Sequence, residues 1–309
     1  MSRLDISVGP KNWIFVFLLL ALLTVAALYV TDKAPQVALD MTALPSQDVL
    51  MKQGGYLVTI AGCDHCHTDV EHQGARLAGG RKLSTPWGDF YPPNITPDKN
   101  SGIGDWRLED FVRAMRYGFS PLGTHYYPAF PYTSYTRMTD EDLAAIFTYL
   151  RSVEPVERYS RPHATAWYVW REELRFWKNL YFSPGVLAAD PLKNARWNRG
   201  RYLAEAVGHC EECHTARNSV GGLSRSVRYS GDAHGVFGEP VPNISSSRRK
   251  GIGKWTKREL STFLRTGVRP DGTRVKGWMA EVVSRSLSHL TEADNDALAE
   301  YIKAIPEVP

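Results

Sequence analysis

All four cysteines of this 309-residue chain lie in two copies of one short motif. The first copy is Gly62–Thr68, GCDHCHT, and the second is His209–Thr215, HCEECHT. In each copy two residues separate the first cysteine from the second, and a histidine comes directly after the second. Cys-x-x-Cys-His is the attachment pattern of haem c, because two thiols one helical turn apart can form thioethers with the two vinyl groups of one haem. The adjacent imidazole is then held beneath the iron as its axial ligand.

The motifs therefore predict two covalently bound haem c groups. The predicted residues are Cys63, Cys66 and His67 for the first haem, and Cys210, Cys213 and His214 for the second. A structural zinc site could also use four cysteines, and a redox dithiol could use either pair alone. Neither alternative requires a histidine at the same following position twice. The additional histidine inside the first motif, His65, is predicted to lie at the surface.

An internal repeat extends well beyond the two motifs. The segment Asn94–Trp106, NITPDKNSGIGDW, matches Asn243–Trp255, NISSSRRKGIGKW, at an offset of 149 positions. Continued without a gap, that offset pairs Phe130 with Met279. Each half therefore reads as a small helical domain, with the attachment motif early and a loop for the distal side of the haem late.

Beyond Phe130 the register of the repeat slips by three positions, so that Thr139 faces Thr291. Each threonine begins a Thr-x-x-Asp signature, which is typical of a helix N-terminus. The last helix of each half is therefore predicted to begin there.

Four segments carry a resemblance to a known family. They are YLVTIAGCDHCHT from Tyr56, NITPDKNSGIGDW from Asn94, HYYPAFPYTSYTRMTDEDL from His125 and NRGRYLAEAVGHCEECHTARN from Asn198. Taken in order, they resemble the cytochrome c subunits of bacterial membrane-bound alcohol and nicotinate-type dehydrogenases, over residues 48–305. Many members of that family carry three haems, whereas this chain has cysteines for two. The alcohol-oxidising members commonly have methionine where Phe130 stands.

The resemblance implies a mainly α fold, in which two tandem class I cytochrome c domains follow one N-terminal transmembrane helix. The expected divisions are a membrane anchor at 1–30, a first cytochrome c domain at 31–154, an aromatic connecting segment at 155–190 and a second cytochrome c domain at 191–309. The resemblance also implies an electron-transfer subunit that is not catalytic alone. Its partner would be a periplasmic dehydrogenase subunit of the molybdenum, quinoprotein or flavoprotein type. A quinone, a cytochrome or an oxidase of the respiratory chain would accept the electrons.

The N-terminal segment Trp13–Val30 carries no charged residue and follows Arg3 and Lys11. As a helix this segment would rise about 27 Å, close to the hydrocarbon thickness of a bilayer. Basic residues on the N-terminal side predict that this end is cytoplasmic. We therefore expect a single-pass anchor in the inner (cytoplasmic) membrane, with the haem domains on the periplasmic side. The alternative is a cleaved signal peptide, for which Val25–Ala27 offers a small-residue cleavage site.

Met279 is the predicted sixth ligand of the second haem. It lies in the predicted loop ahead of the final helix, where a thioether sulfur can reach the iron from the distal side. A methionine–histidine ligand pair raises the reduction potential and suits electron transfer. The alternative is a methionine that only fills a gap in the core.

The first haem lacks a methionine at the matching position, and four possibilities stay open. Met138 is the preferred candidate, although it directly precedes the predicted N-cap Thr139 and its repeat counterpart, Leu290, cannot bind iron. His125, in the same loop, would give a bis-histidine haem. Met115 falls on the apolar face of a predicted helix. The sixth position could also be open or occupied by water.

Residues 155–190 match neither half of the repeat and are rich in tryptophan and tyrosine. A helix that packs across both domains is predicted there, and docking to a membrane surface or to a partner is the alternative. The net charge of +4 gives no reason to expect nucleic-acid binding. If the first haem is open, a dihaem peroxidase is the alternative function, in which one haem supplies electrons to another that binds peroxide.

Overall fold

The structure, a computed structural model, describes residues 10–31, 34–40, 42 and 44–308, and within the first range it describes the side chains of residues 13–23. The described chain is mainly helical, with 44% helix and little strand. It separates into two units, one ending at Pro35 and one spanning Gln36–Pro309.

The first unit contains the helix α1, which spans Pro10–Thr31. Its described side chains, from Trp13 to Leu23, are exposed. None of the helices in the described part of the chain combines the length and the apolarity that crossing a bilayer requires. The remainder of the predicted span, residues 24–30, lies outside the described side chains, as does the alternative cleavage site at Val25–Ala27. The membrane anchor therefore stays a prediction.

The second unit repeats one order of helices. The first half contains α2 (Gln47–Ile60), α3 (Cys63–His67), α4 (Leu108–Tyr117), α5 (Tyr132–Tyr135) and α6 (Asp140–Leu150). The connecting segment contains α7 (Leu174–Tyr181). The second half contains α8 (Ala195–Tyr202), α9 (Cys210–His214), α10 (Lys257–Thr266), α11 (Gly277–Arg285) and α12 (Glu292–Lys303). Three short strands, β1 (Leu83–Thr85), β2 (Gly88–Phe90) and β3 (Ala164–Thr165), form one antiparallel sheet in the order β1-β2-β3.

In each half the helix before the attachment motif crosses the last helix at a glycine. A Cβ added at Gly54 of α2 would lie 1.9 Å from the carbonyl oxygen of Ala145 in α6. One added at Gly200 of α8 would lie 2.0 Å from the carbonyl oxygen of Ala297 in α12. No side chain fits at such distances, so both crossings require the close backbone approach that glycine permits.

We expect Gly54→Ala and Gly200→Ala each to destabilise the protein by about 1–3 kcal/mol through overpacking, although alanine has the higher helix propensity. Urea unfolding followed by circular dichroism measures the loss. Gly55→Ala is the matched control in the same helix, because its new Cβ would meet only the ring edge of Tyr149, at 3.0 Å. Equal stability of the Gly54→Ala and Gly55→Ala proteins would contradict a crossing that depends on glycine.

The two halves differ by one residue just before the attachment motif. Tyr56 precedes Cys63 by seven positions, whereas Tyr202 precedes Cys210 by eight. A π-helical turn at Leu203–Val207 continues α8 directly. Since a π turn closes its hydrogen bond over one more residue than an α turn, it takes up the extra residue without displacing the motif.

The predicted starts of the two last helices are confirmed. The hydroxyl of Thr139 accepts a hydrogen bond from the backbone N–H of Asp142, and that of Thr291 accepts one from Asp294, both at 3.1 Å. The register of the repeat changes by three positions between Phe130 and Thr139 in the first half, and between Met279 and Thr291 in the second. There α11 has nine residues, whereas its counterpart α5 has four.

The connecting segment contacts both halves. Its strand β3 extends the sheet of the first half by pairing with β2. In α7, the ammonium of Lys178 donates to the carbonyl oxygen of Tyr117 in the first half at 2.8 Å. The indole of Trp177 donates to the carbonyl oxygen of Val220 in the second half at 2.9 Å. A helix that packs across both halves is thus present, although it has only eight residues.

Hydrogen bonds join the halves in matched pairs. The hydroxyl of Tyr56 donates to the carboxylate of Asp294 at 2.7 Å, and the hydroxyl of Tyr202 donates to the carboxylate of Asp142. The two tyrosines are repeat counterparts, and so are the two aspartates. Exchange of equivalent contacts is the signature of an approximate twofold relation. The two attachment helices are therefore held in related positions.

Candidate haem-attachment sites

The helices α3 and α9 each hold one complete motif, and none of their four cysteines is in a disulfide. Burial raises the pKa of Cys63 and of Cys210 to about 12. It raises the pKa of Cys66 and of Cys213 to about 11. These thiols stay protonated at neutral pH, whereas a reactive redox dithiol needs a lowered thiol pKa.

The histidine that ends each motif is oriented by a proline carbonyl. Nδ1 of His67 lies 2.7 Å from the carbonyl oxygen of Pro93, and Nδ1 of His214 lies 2.9 Å from that of Pro242. A carbonyl oxygen can only accept, so Nδ1 must carry the proton and Nε2 keeps its lone pair. Burial lowers the pKa of both imidazoles, which favours the neutral form that binds metals. Each half thus presents one prepared nitrogen ligand beside two thiols, and this donor set fits haem c.

After each motif the chain forms a loop, and the loops of the two halves have equivalent contacts. The backbone N–H of Leu77 donates to the hydroxyl of Thr68, and the N–H of Tyr229 donates to the hydroxyl of Thr215, both at 3.0 Å. Leu77 and Tyr229 adopt left-handed conformations, with φ of 62° and 64°. A non-glycine residue in that region costs on the order of 1–2 kcal/mol. The same strained turn in both halves indicates that it positions the loop that leads to the proline carbonyl.

These supporting residues were not predicted from the sequence, although it contains signals for some of them. A threonine follows the histidine in both motifs, and a proline precedes Asn94 as well as Asn243. Leu77 and Tyr229 left no such signal, because two different residue types hold one backbone conformation.

Met279 is the third residue of α11 and is partly buried against the main core. The predicted loop ahead of the final helix is therefore wrong at this point, since Gly277–Arg285 is helical. The backbone begins that helix at Gly277, with φ of 60°. The role of Met279 as the sixth ligand stays a prediction.

Phe130 lies among aromatic rings immediately before α5. The centroid of its ring is 5.7 Å from that of Tyr126, 6.3 Å from that of Tyr132 and 5.8 Å from that of Tyr135. The hydroxyl of Tyr135 donates at 3.2 Å to the carbonyl oxygen of Ala61, two residues before Cys63. Phe130 is therefore one ring away from the start of the first attachment helix.

Met138 has the surroundings of a packing residue. Its side chain is fully buried in the main core together with Leu143, the fifth residue on. Its carbonyl oxygen accepts a hydrogen bond from the guanidinium of Arg116 at 3.0 Å. This is the arrangement of a hydrophobic staple around the N-cap of α6. The role of Met138 as the sixth ligand stays a prediction.

The two other candidates for the first haem are also buried. The ring of His125 packs against that of Phe119 in a tilted arrangement, with ring centroids 4.4 Å apart. Met115 lies on the buried face of α4, as predicted from its helical spacing.

The prediction that His65 lies at the surface is wrong. Its side chain is buried at the contact between the halves, where Nε2 lies 3.1 Å from the hydroxyl oxygen of Ser286. Burial lowers the pKa of His65 to about 4, so the imidazole is neutral at physiological pH. His65 does not face solvent as predicted, because the second half of the chain covers it.

The two motifs are close to each other. Nε2 of His209, the residue before Cys210, lies 3.3 Å from the carbonyl oxygen of Ala61, two residues before Cys63. The second motif also contacts the first half, since the hydroxyl of Ser134 donates to the carboxylate of Glu212 at 2.9 Å.

A mainly helical chain with two such sites is a c-type cytochrome. No family model matches the chain. It is 38% identical over 261 residues to the fructose dehydrogenase cytochrome subunit of Gluconobacter japonicus, and the aligned region covers 83% of this chain and 52% of that protein. It is 37% identical over 270 residues to the gluconate 2-dehydrogenase cytochrome c subunit of Pantoea cypripedii, with 84% and 60% covered. It is 36% identical over 260 residues to a dihaem c-type cytochrome of Cereibacter sphaeroides, with 83% and 86% covered.

This chain belongs to a family of c-type cytochromes that includes the dihaem cytochrome of Cereibacter sphaeroides, of which it covers 86%. The predicted resemblance to the cytochrome c subunits of dehydrogenases is confirmed. Members of the family are electron-transfer subunits and not catalytic ones. The relatives carry haem c, so covalently bound haem c is implied for this chain as well. The chain spans about half the length of the fructose dehydrogenase subunit, 52%. The comparisons give no support for a dihaem peroxidase.

Proposed function

We propose that this protein is a dihaem cytochrome c, built of two tandem class I cytochrome c domains, that relays electrons from a dehydrogenase partner to the respiratory chain. The observation that carries the proposal is the matched pair of hydrogen bonds from His67 to Pro93 and from His214 to Pro242. In both halves this bond prepares an imidazole nitrogen for iron, beside two partly buried thiols. A chain with one functional site would have no reason to keep this arrangement twice.

Haem c, when bound, supplies one-electron chemistry at its iron. The chain supplies attachment, axial ligands, burial and relative orientation. His67 and His214 are the proposed proximal ligands, and Met279 is the proposed distal ligand of the second haem. Cys63 and Cys210 both pack against one apolar core that extends through the two halves.

The proposed partner is a periplasmic dehydrogenase subunit. The names of the relatives support this, since they are cytochrome subunits of fructose and gluconate dehydrogenases. We propose a quinone, another cytochrome or an oxidase as the electron acceptor. We also propose that Trp13–Val30 anchors the chain in the cytoplasmic membrane, with the haem domains in the periplasm. Its support is the uncharged sequence that follows Arg3 and Lys11.

The full chain, expressed with a c-type cytochrome maturation system and purified from carbonate-washed membranes, is expected to contain two haems. The pyridine haemochrome spectrum, divided by the protein concentration, measures the ratio. Replacing both cysteines of either motif with alanine should remove one haem and leave the other. His65→Gln is the control, because it lies inside the first motif but supplies no attachment atom. One haem per chain in the unaltered protein would contradict the proposal, and recovery from the soluble fraction alone would contradict the anchor.

A further inference from the structure

Three charged side chains, Arg81, Glu281 and Arg285, join the first half of the chain to helix α11 of the second half. Arg81, in the loop before β1, donates through its two terminal nitrogens to the two carboxylate oxygens of Glu281 in α11, at 2.5 and 2.9 Å. Arg285, one turn further along α11, donates to the same carboxylate at 2.9 Å. The cluster thus holds two positive charges against one negative charge.

Both arginines also bind the backbone of the first attachment helix. Arg81 donates to the carbonyl oxygen of His65 at 2.5 Å, and Arg285 donates to that of Asp64 at 3.4 Å. These carbonyls lie between Cys63 and Cys66. One charged cluster therefore contacts the helix that attaches the first haem.

The same cluster contacts the helix that carries the proposed ligand of the second haem. Glu281 follows Met279 by two positions in α11. The guanidinium of Arg81 stacks over the ring of Trp278, with its central carbon 4.3 Å from the ring centroid. The cluster consequently links the two proposed haem sites. Arg81 and Glu281, which form this link, are 200 positions apart in sequence.

Burial makes this cluster electrostatically strong. The side chain of Arg81 is 7% exposed, that of Glu281 21% and that of Arg285 28%. Nε of Arg81 is buried and has no hydrogen-bond partner among the described residues. Burying three charges is costly, and an apolar contact would hold the halves together at least as well. A net positive charge in a poorly solvated place acts over a longer range than one in water.

That charge lies directly beside the attachment site. The carbonyl oxygen to which Arg81 donates belongs to His65, the residue before Cys66. The sulfur of Cys66 is one of the two atoms that would carry the first haem. A positive charge held at this place stabilises the electron that the haem gains on reduction.

Building on the proposed function, we propose that the Arg81–Glu281–Arg285 cluster tunes the reduction potential of the haem attached at Cys63 and Cys66. Its surplus positive charge favours the reduced state, because reduction adds one electron beside it. Arg81 is a positioning and tuning residue that does not touch the reacting iron. The contact with α11 ties this tuning to the helix of the second site.

The test is a spectroelectrochemical titration of the full-length holoprotein with Arg81→Gln and Glu281→Gln. Arg81→Gln should shift the ratio of reduced to oxidised haem about tenfold toward the oxidised form at fixed potential, which is 59 mV for one electron. Glu281→Gln should shift the same haem in the opposite direction. Opposite shifts on removing the two partners of one ion pair are expected of charge, whereas a purely structural loss would move both variants the same way.

Three further variants keep the test sharp. Arg81→Lys retains the charge and should keep most of the potential of the unaltered protein. Lys82→Gln removes the neighbouring positive charge, whose side chain is 51% exposed, and should change the ratio by less than about twofold because solvent screens it. Arg285→Gln should lower the potential if Arg81→Gln fails to fold. The inference would be overturned if the reduction potential shifted in the same direction in the Arg81→Gln and Glu281→Gln proteins. It would also be overturned if the potential did not shift in variants that hold two haems. An unaltered protein without haem would instead overturn the proposed function.

Discussion

Replacing Phe130 with methionine is expected to abolish carbon monoxide binding at the first haem and to raise its reduction potential. Phe130 occupies the repeat position of Met279, and its ring packs on Tyr135 beside the first attachment helix. A phenyl ring cannot ligate iron, whereas a thioether at the same position can. In the unaltered protein, carbon monoxide should therefore change the spectrum of about half of the haem, one site of two.

Visible spectra of the dithionite-reduced protein, recorded with and without carbon monoxide, measure this response. Met138→Leu is the matched control, because it keeps the volume of a fully buried side chain in the main core. It should leave the response as it is. If the unaltered protein ignores carbon monoxide and Met138→Leu begins to bind it, Met138 is the sixth ligand. If His125→Ala alone does so, the ligand is His125.

Met279→Leu is expected to lower the reduction potential of the second haem by on the order of 0.1–0.3 V, within the roughly 0.8 V range that axial ligands span. The change keeps an apolar side chain of similar volume, so α11 should keep its packing. What is lost is the thioether, which favours the reduced iron. The second haem should also begin to bind carbon monoxide.

Redox titration of the full chain measures the first effect, and the reduced spectrum measures the second. Met115→Leu is the control, since it removes a sulfur from the buried face of α4 without altering α11. A second haem with unchanged potential in the Met279→Leu protein would mean that Met279 only fills the core. The effect is also distinct from that of the charged cluster, because Arg81→Gln is not expected to open a site for carbon monoxide.

Local patterns predicted a good part of this structure. Thr139 and Thr291 cap the last helices as their Thr-x-x-Asp signatures indicate, and Met115 faces the core as its spacing indicates. These features depend on residues within one or two helical turns, so consecutive sequence contains the interactions that stabilise them. The loop predicted at Met279 is wrong because α11 begins at Gly277 without a side-chain cap, so no local signal marks its start.

The outward position predicted for His65 failed for a different reason. Periodicity can identify which side of a short helix is polar, but it cannot identify a second half of the chain that covers that side. The hydrogen bond to Ser286 joins residues separated by 221 positions. In the sequence, the π-helical turn at Leu203–Val207 appears only as one additional residue in the second half of the repeat. Only the structure shows that the backbone accommodates this residue with a π turn.

The sequence by itself determined the chemistry of the two sites, because covalent attachment and proximal ligation need only five consecutive residues, Cys63–His67 and Cys210–His214. It also determined the twofold order of helices through the repeat. Only the tertiary structure decided which carbonyl orients each histidine, 26 and 28 positions away. It alone placed Arg81 on Glu281, beside the first motif. Such contacts arise when the halves pack together and loops close over long distances, and no local spacing encodes them.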